Sequence, residues 1–361
     1  MKMIVTCGGT GGHITPALAI ADTVKENMPG AEILFVGSER GMENKLVRDA
    51  GYPIRALRVQ GISRSLSLKN IRAAYLALRA TGEADALLRE FAPDIVIGTG
   101  GYACYPTLRA ATKRGIPAAV HESNAAPGLA VRRLAGHLDR VWLNFADAAR
   151  GLPRHCRALT VGNPLPRGCG QRIGERPRDG VLRVLSFGGS LGARELNRAV
   201  LSLMERERQL PAVHHIHATG KREYDAVYAD FRARGLDSCE HLELLHYIED
   251  MPQRMAEADL VICRAGAMSI SELAAAGAAA VLIPSPNVTG DHQYKNAKVL
   301  ADAGAAVLLT EAMLSERLCE CVLSLLRDQG RRKALSAAIA AFARPEANRL
   351  IYEDILRLIR K

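Results

Sequence analysis

The 361-residue sequence contains few aromatic residues and lacks a long apolar run. Phe, Trp and Tyr together make up 4% of it, and Trp occurs once. That is too few for the aromatic platforms on which single-stranded nucleic acids stack, so nucleic acid is not an expected partner. No apolar run reaches the roughly 18 residues of a membrane-spanning helix. Residues 1–5 lead straight into glycine-rich sequence, so no signal peptide is expected either.

None of the eight cysteines forms a C-x-x-C pair, so neither a zinc site nor a redox motif is indicated. Scattered cysteines are typical of a reduced, cytoplasmic protein. The formal net charge of +10 favours an anionic partner, such as an acidic membrane or a phosphorylated substrate.

Short apolar runs alternate with helical patterns along the chain. The predicted strands are 3–7, 33–37, 94–98, 117–121, 140–143, 183–187, 213–218, 241–245, 260–263, 280–283 and 306–309. Helices are predicted between them, for example over 16–27 and 191–207. Continuously apolar strands that alternate with helices indicate parallel sheets covered on both faces.

The pattern restarts after a segment rich in Gly, Pro and Arg at 161–180, which predicts a linker. Both halves open alike, with IVTCGGTGG at 4–12 and VLSFGGSLG at 184–192. We therefore expect an α/β fold with two Rossmann-like parallel-sheet domains facing across a cleft. The predicted domains are 1–164 and 165–344, with a C-terminal helix over about 345–361 that packs back on the first.

Three glycine-rich segments follow predicted strands, at 7–16, 98–106 and 188–197. Glycine lets the backbone turn sharply and approach a ligand, and a helix start offers N–H groups to an anion. In the first segment we expect the helix to begin near Pro16, with Thr15 as its cap. One such segment is equally explained as a tight turn, but the three together predict a phosphate-binding site.

The spacing matches neither standard nucleotide-binding fingerprint. A dinucleotide motif G-x-G-x-x-G that started at Gly9 would need a sixth-position glycine, where the chain has Ile14. The Gly-Lys-Ser/Thr of a P-loop does not occur in the sequence.

Seven motifs, in order along nearly the whole chain, resemble those of the MurG family of peptidoglycan glycosyltransferases, which have the GT-B fold. They are GGTGGH at 8–13, GGY at 100–102, HESN at 121–124, VGNP at 161–164, GGSLGA at 188–193, CRAGAMSISE at 263–272 and PSPNVTGDHQYKNA at 284–297. The resemblance implies inverting transfer of N-acetylglucosamine from UDP-N-acetylglucosamine to the 4-hydroxyl of undecaprenyl-diphosphate-N-acetylmuramyl-pentapeptide (lipid I). The first domain would take the acceptor and touch the membrane, and the second would hold the UDP-sugar.

The resemblance also assigns site residues. Glu272 matches the glutamate that binds the ribose hydroxyls, and Ile248 matches the position whose backbone reads the uracil edge. The implied donor-binding set is Thr10, Gly11, Gly12, His13, Asn124, Arg167, Ser190, Asn197, Ile248, Ala267, Met268, Glu272, His292 and Gln293. The implied acceptor-binding set is Gly9, Thr10, His13, Tyr102 and Glu122.

Three positions depart from the family pattern. Leu191 stands where many relatives carry Gln, and Ser123 replaces the Gln of HEQN. Pro166 occupies the place of an arginine that contacts phosphate, and Arg167 follows it. The sequence therefore does not show whether Arg167 makes that phosphate contact.

The reaction needs a base near the acceptor hydroxyl and donors on the leaving diphosphate. His13 is the candidate base and Glu122 is its rival, although a histidine at a helix start is also a common structural residue. The sequence has no Asp-x-Asp motif, so neither a metal nor another cofactor is expected.

The segment 66–79 carries an apolar helical stripe bordered by cations. The stripe residues are Leu68, Ile71, Tyr75 and Leu78, and the cations are Lys69, Arg72 and Arg79. Such a surface suits an anionic bilayer, but a core-facing helix with a solvated basic edge has the same pattern. With the resemblance, it predicts a peripheral protein on the cytoplasmic face of the cell membrane, where other cell-wall synthesis proteins are possible partners.

Two other classes of function fit the residues alone. One is a different nucleotide-sugar enzyme, either another GT-B transferase or an epimerase. The other is a non-catalytic protein that binds a nucleotide-sugar. Acceptor-dependent release of UDP distinguishes an enzyme from a sensor.

Overall fold

The structure, a computed structural model, describes residues 1–59, 68–169, 179–189 and 192–360, and of 68–78 it describes the helical backbone. The chain divides into two compact units, Met1–Arg167 with Arg344–Lys361, and Gly168–Ala343. Each unit is built on one parallel β-sheet, as the alternating pattern predicts, and the expectation of two Rossmann-like domains is confirmed.

The first unit contains a seven-stranded sheet of order β3-β2-β1-β4-β5-β6-β7. Its strands are β1 (Lys2–Thr6), β2 (Glu32–Ser38), β3 (Ile54–Leu57), β4 (Ile95–Gly98), β5 (Ala118–Glu122), β6 (Arg140–Leu143) and β7 (Ala158–Thr160). Its helices are α1 (Gly11–Asn27), α2 (Glu43–Asp49), α3 (Leu68–Phe91), α4 (Cys104–Lys113), α5 (Leu129–Leu134) and, at the end of the chain, α13 (Ala347–Ile359). Short 3-10 turns occupy Ala135–His137 and Ala146–Gly151.

The second unit contains a six-stranded parallel sheet of order β10-β9-β8-β11-β12-β13. Its strands are β8 (Leu182–Phe187), β9 (Val213–Ala218), β10 (Leu242–Leu245), β11 (Leu260–Cys263), β12 (Ala280–Leu282) and β13 (Val307–Leu308). Its helices are α6 (Arg194–Glu207), α7 (Tyr224–Ala233), α8 (Met251–Glu257), α9 (Ala267–Ala276), α10 (His292–Asp302), α11 (Leu314–Arg327) and α12 (Gln329–Ala340). Further 3-10 turns lie at Leu236–Ser238, Thr289–Asp291 and Glu311–Met313.

The central strands match the predicted apolar runs, but β3 and β7 were not predicted. Both are edge strands of the first sheet, with one hydrogen-bonded neighbour each. All three residues of β7 are exposed, and β3 buries little besides Leu57. A strand with one partner and an exposed surface needs no continuous apolar run, so hydrophobic pattern alone misses it.

Helix α1 begins at Gly11, not near Pro16 as expected. Thr10 is the N-cap residue, and its carbonyl accepts from the N–H groups of His13 at 3.0 Å and Ile14 at 3.2 Å. Ile14 is buried in the core and fixes this first turn. Pro16 therefore lies inside the helix, where it lacks one hydrogen bond, because core packing outweighs the local signal of proline.

Helix α13 packs on the first unit. Its apolar residues Ile351, Ile355 and Leu358 join the core beneath α1 and β1. The buried carboxylate of Asp354 accepts from Arg140 Nε at 2.6 Å and from Trp142 Nε1 at 2.9 Å. Trp142 is itself fully buried, so this network fixes the C-terminal helix against β6.

Candidate functional site

The glycine-rich segment after β1 lies at the carboxyl edge of the first sheet, beside the loop that follows β4. Gly100 has φ +112°, and a Cβ there would lie 2.3 Å from His13 Nδ1. Gly101 has φ +94°, and a Cβ there would lie 2.2 Å from the carbonyl oxygen of Gly8. These two glycines are therefore required by both their backbone conformation and the close approach of the two loops.

His13 is held in one orientation by the loop after β4. Its Nδ1 lies 3.0 Å from the carbonyl oxygen of Thr99, and Thr99 Oγ1 donates to the carbonyl of His13 at 2.7 Å. A carbonyl can only accept, so the proton of a neutral ring is on Nδ1 and the lone pair is on Nε2. The arrangement leaves the imidazole oriented to take up a proton at Nε2.

The rival base, Glu122, is occupied by the loop that follows β5. Its Oε1 accepts from the backbone N–H and the side-chain amide of Asn124, both at 3.0 Å, and its Oε2 accepts from Gly128 N at 2.8 Å. The side chain is buried. Three donors from two positions make this carboxylate the support of the 123–128 loop.

Tyr102, another residue of the predicted acceptor set, is 57% exposed.

His121 lies beneath this loop and is fully buried. Its Nε2 is 3.0 Å from the carbonyl of Gly162, in the VGNP motif. Burial lowers the pKa of His121 to about 4, and the hydrogen bond to Gly162 only partly opposes that shift. The ring is therefore neutral at physiological pH and connects two family motifs within the first unit.

Glu43 is a residue of this site that the sequence pattern did not reveal. It begins α2, is fully buried, and accepts from Ser38 N at 2.8 Å, Ser38 Oγ at 2.6 Å and Gly9 N at 3.1 Å. Burial alone would raise its pKa, but the hydrogen bonds from Ser38 and Gly9 outweigh burial and lower it. The carboxylate thereby supports the glycine segment from below. A glutamate at the start of a short helix is too common to suggest this.

Glu43→Gln is expected to destabilise the protein by about 1–3 kcal/mol at neutral pH, because an amide nitrogen would face a buried N–H donor. Since the folded-state pKa is lowered, the stabilisation by Glu43 is complete above its unfolded value near 4.5 and is lost as the pH falls. Urea unfolding at pH 7 and at pH 4 measures both effects. The control is Glu39→Gln, which removes an exposed ion pair with Arg58 and should cost at most about 1 kcal/mol. Equal effects of the two substitutions would contradict the support role.

In the second unit, the predicted donor residues that the structure describes lie on loops and in the first two turns of helices at the carboxyl edge of the sheet. Asn197 is in the first turns of α6, and its Nδ2 donates to the carbonyl of Thr219 at 3.0 Å. Ile248 is buried in the loop after β10. Ala267 and Met268 open α9 and are buried as well.

Glu272 projects from the second turn of α9 in a partly buried position. Burial raises the pKa of its carboxyl. No hydrogen bond or ion pair joins this carboxylate to any residue that the structure describes. Burial, and next the charge of Glu272, raises the pKa of the Cys169 thiol to about 11. A desolvated carboxylate without a partner in the described chain is suited to accept hydrogen bonds from a ligand.

His292 and Gln293 open α10 beside the PSPNVTG segment. Gln293 Oε1 accepts from the backbone N–H of Ser285 at 2.8 Å. Asp291, which precedes them, has φ +55°, a left-handed conformation that is uncommon for a residue other than glycine. Such local strain is found more often at functional sites than elsewhere, and it sets the direction in which α10 begins.

One predicted residue of the first unit, Arg167, is not brought to the glycine segment. Arg167 forms an ion pair with Glu26, near the C-terminal end of α1. That is about 22 Å along the helix from the glycine segment, at 1.5 Å per residue. Ser190 lies outside the described residues. In the second unit Arg264 instead pairs with Glu311, and its guanidinium also reaches the carbonyl of Pro284 at 3.3 Å.

Two features of the described residues bear on a membrane or a metal as partner. No described helix is long and apolar enough to cross a membrane. Across the same ranges, no group of three or more His, Cys, Asp or Glu side chains is arranged to hold a metal ion.

Comparison with known proteins matches both units. The profile "Glycosyltransferase family 28 N-terminal domain" matches residues 3–143, and "Glycosyltransferase family 28 C-terminal domain" matches residues 183–351. The UDP-N-acetylglucosamine--N-acetylmuramyl-(pentapeptide) pyrophosphoryl-undecaprenol N-acetylglucosamine transferase of Limosilactobacillus fermentum is 38% identical, covering 96% of each chain. The protein of the same name from Moorella thermoacetica is 39% identical and covers 99% of each. The crystal structure of Acinetobacter baumannii MurG superposes with a TM-score of 0.80 at 30% identity, over 99% of each chain.

Proposed function

The chain belongs to the MurG family within glycosyltransferase family 28, and we propose that it moves N-acetylglucosamine from UDP-N-acetylglucosamine to undecaprenyl-diphosphate-N-acetylmuramyl-pentapeptide. The product would be lipid II, the disaccharide precursor of peptidoglycan, with release of UDP. The observation that carries the proposal is the nearly complete coverage by relatives that bear this activity in their names.

The donor is assigned chiefly to the second unit. Glu272 would accept hydrogen bonds from both ribose hydroxyls, which its partly buried carboxylate is suited to do. The backbone at Ile248 would read the uracil edge, and the N-terminus of α9 at Ala267 and Met268 would face the phosphates. Asn197, Ser190, His292 and Gln293 complete the proposed donor side. Thr10, Gly11, Gly12, His13 and Asn124 are proposed to contact the donated sugar, and Arg167 stays a prediction.

The acceptor is assigned to Gly9, Thr10, His13, Tyr102 and Glu122 in the first unit. In the proposed step, Nε2 of His13 takes the proton of the muramyl 4-hydroxyl as its oxygen bonds to the anomeric carbon. The bond from that carbon to the diphosphate breaks, and UDP leaves with the electron pair. Attack from the face opposite the leaving group inverts the anomeric configuration. The orientation of His13 by Thr99 supports its assignment as base over Glu122, whose oxygens already accept three hydrogen bonds.

Negative charge builds on the leaving diphosphate in this step. Backbone N–H groups and the positive ends of helix dipoles can stabilise such charge without a metal. We therefore propose a reaction that requires no metal and no cofactor.

Acceptor-dependent release of UDP tests the proposed function. Purified protein is supplied with UDP-N-acetylglucosamine in the presence and absence of the lipid-linked acceptor, each with and without EDTA. UDP should appear only when the acceptor is present and should be insensitive to EDTA. Binding of the nucleotide-sugar without turnover would indicate a sensor, and loss of activity with EDTA would contradict the metal-free assignment.

We also propose that the protein acts at the cytoplasmic face of the cell membrane, beside other cell-wall synthesis proteins. Helix α3 supports a membrane contact. Its described core-facing residues are Ala80, Ala84 and Leu88. At about 100° per residue, the predicted apolar positions Leu68, Ile71, Tyr75 and Leu78 fall roughly opposite these three on a regular helix. The side chains of 68–78 lie outside the described residues.

Replacing Leu68, Ile71 and Leu78 by Ser is expected to weaken sedimentation with anionic vesicles, because each apolar contact contributes roughly 1–2 kcal/mol. High salt should not abolish this effect, since screening acts on charge and not on burial. Melting temperature is the control. If the Ser variants unfold, and any folded fraction of them still binds vesicles like wild type, the stripe belongs to the core and not to a membrane-binding surface.

The flanking cations, Lys69, Arg72 and Arg79, should contribute about 1 kcal/mol each to vesicle binding, and high salt should remove their effect. Arg150→Gln is the matched control, because Arg150 is an exposed, ion-paired arginine of the first unit outside α3. An equal loss of vesicle binding in that variant would show that net charge, and not this surface, decides binding.

A further inference from the structure

Six residues of the second unit form a buried chain of hydrogen bonds through its interior. Glu207 Oε2 lies 2.6 Å from His215 Nδ1, His215 Nε2 lies 2.8 Å from Ser186 Oγ, and Ser186 Oγ lies 2.7 Å from His217 Nδ1. The chain continues from His217 Nε2 to Asn197 Oδ1 at 3.2 Å, and from Asn197 Nδ2 to the carbonyl of Thr219 at 3.0 Å. All six side chains are buried. The chain runs from the C-terminal residue of α6 to the first turns of the same helix.

The sheet makes this chain possible. His215 and His217 lie two residues apart on β9 and so share one face of the strand. Ser186 on β8 is the register partner of His217, so its hydroxyl reaches both rings. The sequence shows the pattern VHHIHA at 213–218, but the partners from β8 and α6 are far away in the chain.

The Thr219 end fixes the direction of the hydrogen bonds. A carbonyl can only accept, so the amide nitrogen of Asn197 faces Thr219 and the amide oxygen faces His217 Nε2. With the proton on Nε2, both ring nitrogens of His217 have a partner, because Nε2–H donates to Asn197 Oδ1 and Nδ1 can accept from the Ser186 hydroxyl. The opposite tautomer would leave Nε2 without a donor, since Asn197 Oδ1 can only accept. Burial, and next the charge of His215, lowers the pKa of His217 to about 3, so its ring is neutral. Its Nδ1 is therefore an acceptor.

The remaining protons follow in sequence. In this tautomer Ser186 Oγ donates to His217 Nδ1, which lies 2.7 Å away. The backbone carbonyl oxygen of Ser186 lies farther from the same nitrogen, at 3.2 Å, and cannot donate to it. The hydroxyl then accepts from His215 Nε2–H. One further proton lies between His215 Nδ1 and Glu207 Oε2, whichever atom carries it, so the buried pair is neutral overall. Glu207 Oε1 has no hydrogen-bond partner in the described part of the chain.

The Asn197 end of the chain lies at the glycine-rich segment before α6. Gly192 has φ +84°, and a Cβ there would lie 2.3 Å from the carbonyl oxygen of Thr219, the same oxygen that accepts from Asn197. Thr219 N also donates to the carbonyl of Leu245 at 3.0 Å. Thr219 thus contacts the segment before α6 and Asn197 through its carbonyl, and the end of β10 through its N–H.

We propose that Glu207, His215 and Ser186 are positioning residues for the nucleotide-sugar: they fix the His217 tautomer, which holds Asn197 and the start of α6 against the diphosphate of the donor. The inference rests on the proposed function for the identity of that donor. None of the three touches it. They act through His217 and Asn197, because they fix which atom of each hydrogen bond donates and which accepts.

Ser186→Ala removes the hydroxyl that connects the two rings. It should raise the KM for UDP-N-acetylglucosamine and the Kd for UDP by roughly five- to tenfold, the effect of one lost hydrogen bond, with kcat little changed. Ser202→Ala is the matched control, because Ser202 lies on α6 with its hydroxyl near the surface. A Ser186→Ala protein that loses thermal stability but keeps the wild-type KM and Kd would overturn the proposal.

Glu207 gives a test by rescue. In Glu207→Gln the amide N–H can donate to His215 Nδ1, which leaves Nε2–H facing Ser186 and keeps the direction of the chain. Glu207→Ala supplies no hydrogen-bond donor to His215 Nδ1. The Gln variant should therefore retain the wild-type KM within about twofold, while the Ala variant shows the five- to tenfold rise expected for one lost hydrogen bond. Equal KM values for the two variants would contradict the mechanism.

Nitrogen-15 NMR of histidine-labelled full-length protein reads the tautomers directly. His217 should be neutral with its proton on Nε2, and His215 should have a protonated Nε2 in both wild type and Glu207→Gln. An Nδ1–H tautomer of His217 would overturn the inference even if some variants fail to fold. Wild-type protein that does not bind UDP would instead refute the proposed function, while the tautomer result would still stand.

Discussion

His13→Ala is expected to lower kcat by roughly 10²–10⁴ at saturating donor and acceptor, the usual loss when a general base is removed. The acceptor hydroxyl must lose its proton as the new glycosidic bond forms, and His13 Nε2 has the lone pair to take it. Thr99 holds the ring by Nδ1, so the imidazole needs little reorganisation during the reaction. Initial rates of lipid II formation, at varied concentrations of both substrates, give the comparison.

His13→Asn is the matched variant, because the Asn amide nitrogen can still donate toward the Thr99 carbonyl but cannot accept a proton. It should lose kcat as the Ala variant does and melt close to wild type. Glu122→Gln should act mainly on stability, since an amide would face the donors from Asn124 and Gly128. If both His13 variants retain more than a tenth of the wild-type kcat, His13 is not the base. A larger kcat loss in a folded Glu122→Gln protein would move the assignment to Glu122.

Glu272→Ala should weaken UDP binding by about 2–4 kcal/mol, because two charge-assisted hydrogen bonds are lost. That corresponds to a rise in Kd of roughly 30- to 800-fold. No described residue of the chain pairs with this carboxylate, so its removal should leave the melting temperature nearly unchanged. Calorimetric titration with UDP measures the affinity, and thermal unfolding checks the fold.

The pH dependence of UDP binding and a control variant test the same residue. Because burial raises the pKa of Glu272, its carboxylate takes up a proton at a higher pH than an ordinary glutamate does. As the pH falls, UDP binding should therefore begin to weaken at a higher pH than it would with an ordinary glutamate. Glu316→Ala, an exposed glutamate of α11, is the control and should bind UDP like wild type. An unchanged Kd in folded Glu272→Ala protein would remove Glu272 from the donor site.

The sequence predicts the framework of this protein because buried parallel strands are continuous apolar runs. The central strands, such as β1 and β11, bury every residue or nearly so and are therefore recognisable. The edge strands β3 and β7 have exposed residues and depend on a neighbouring strand for their geometry. The start of α1 was misjudged for a related reason, since Ile14 packs in the core and Pro16 was read from local preference alone.

The motifs of the candidate site were visible because they are contiguous and rich in glycine. Their supports were not, because those contacts join distant parts of the chain. Glu43 reaches Gly9 across 34 positions, and His215 reaches Ser186 across 29. A single sequence shows a glutamate or a pair of histidines but shows neither that they are buried nor which loop they hold. Such residues become functional candidates only when burial and hydrogen-bond direction are known.

Identification of the product tests the central claim most directly. Purified protein, UDP-N-acetylglucosamine and the lipid-linked muramyl-pentapeptide are incubated together, and the lipid product is analysed by mass spectrometry and by NMR of the new linkage. The proposed function predicts an acceptor heavier by one N-acetylhexosamine residue, joined at the muramyl 4-oxygen in the β configuration, with UDP released in equal amount. An unmodified acceptor, an α linkage, or UDP released equally without acceptor would contradict it.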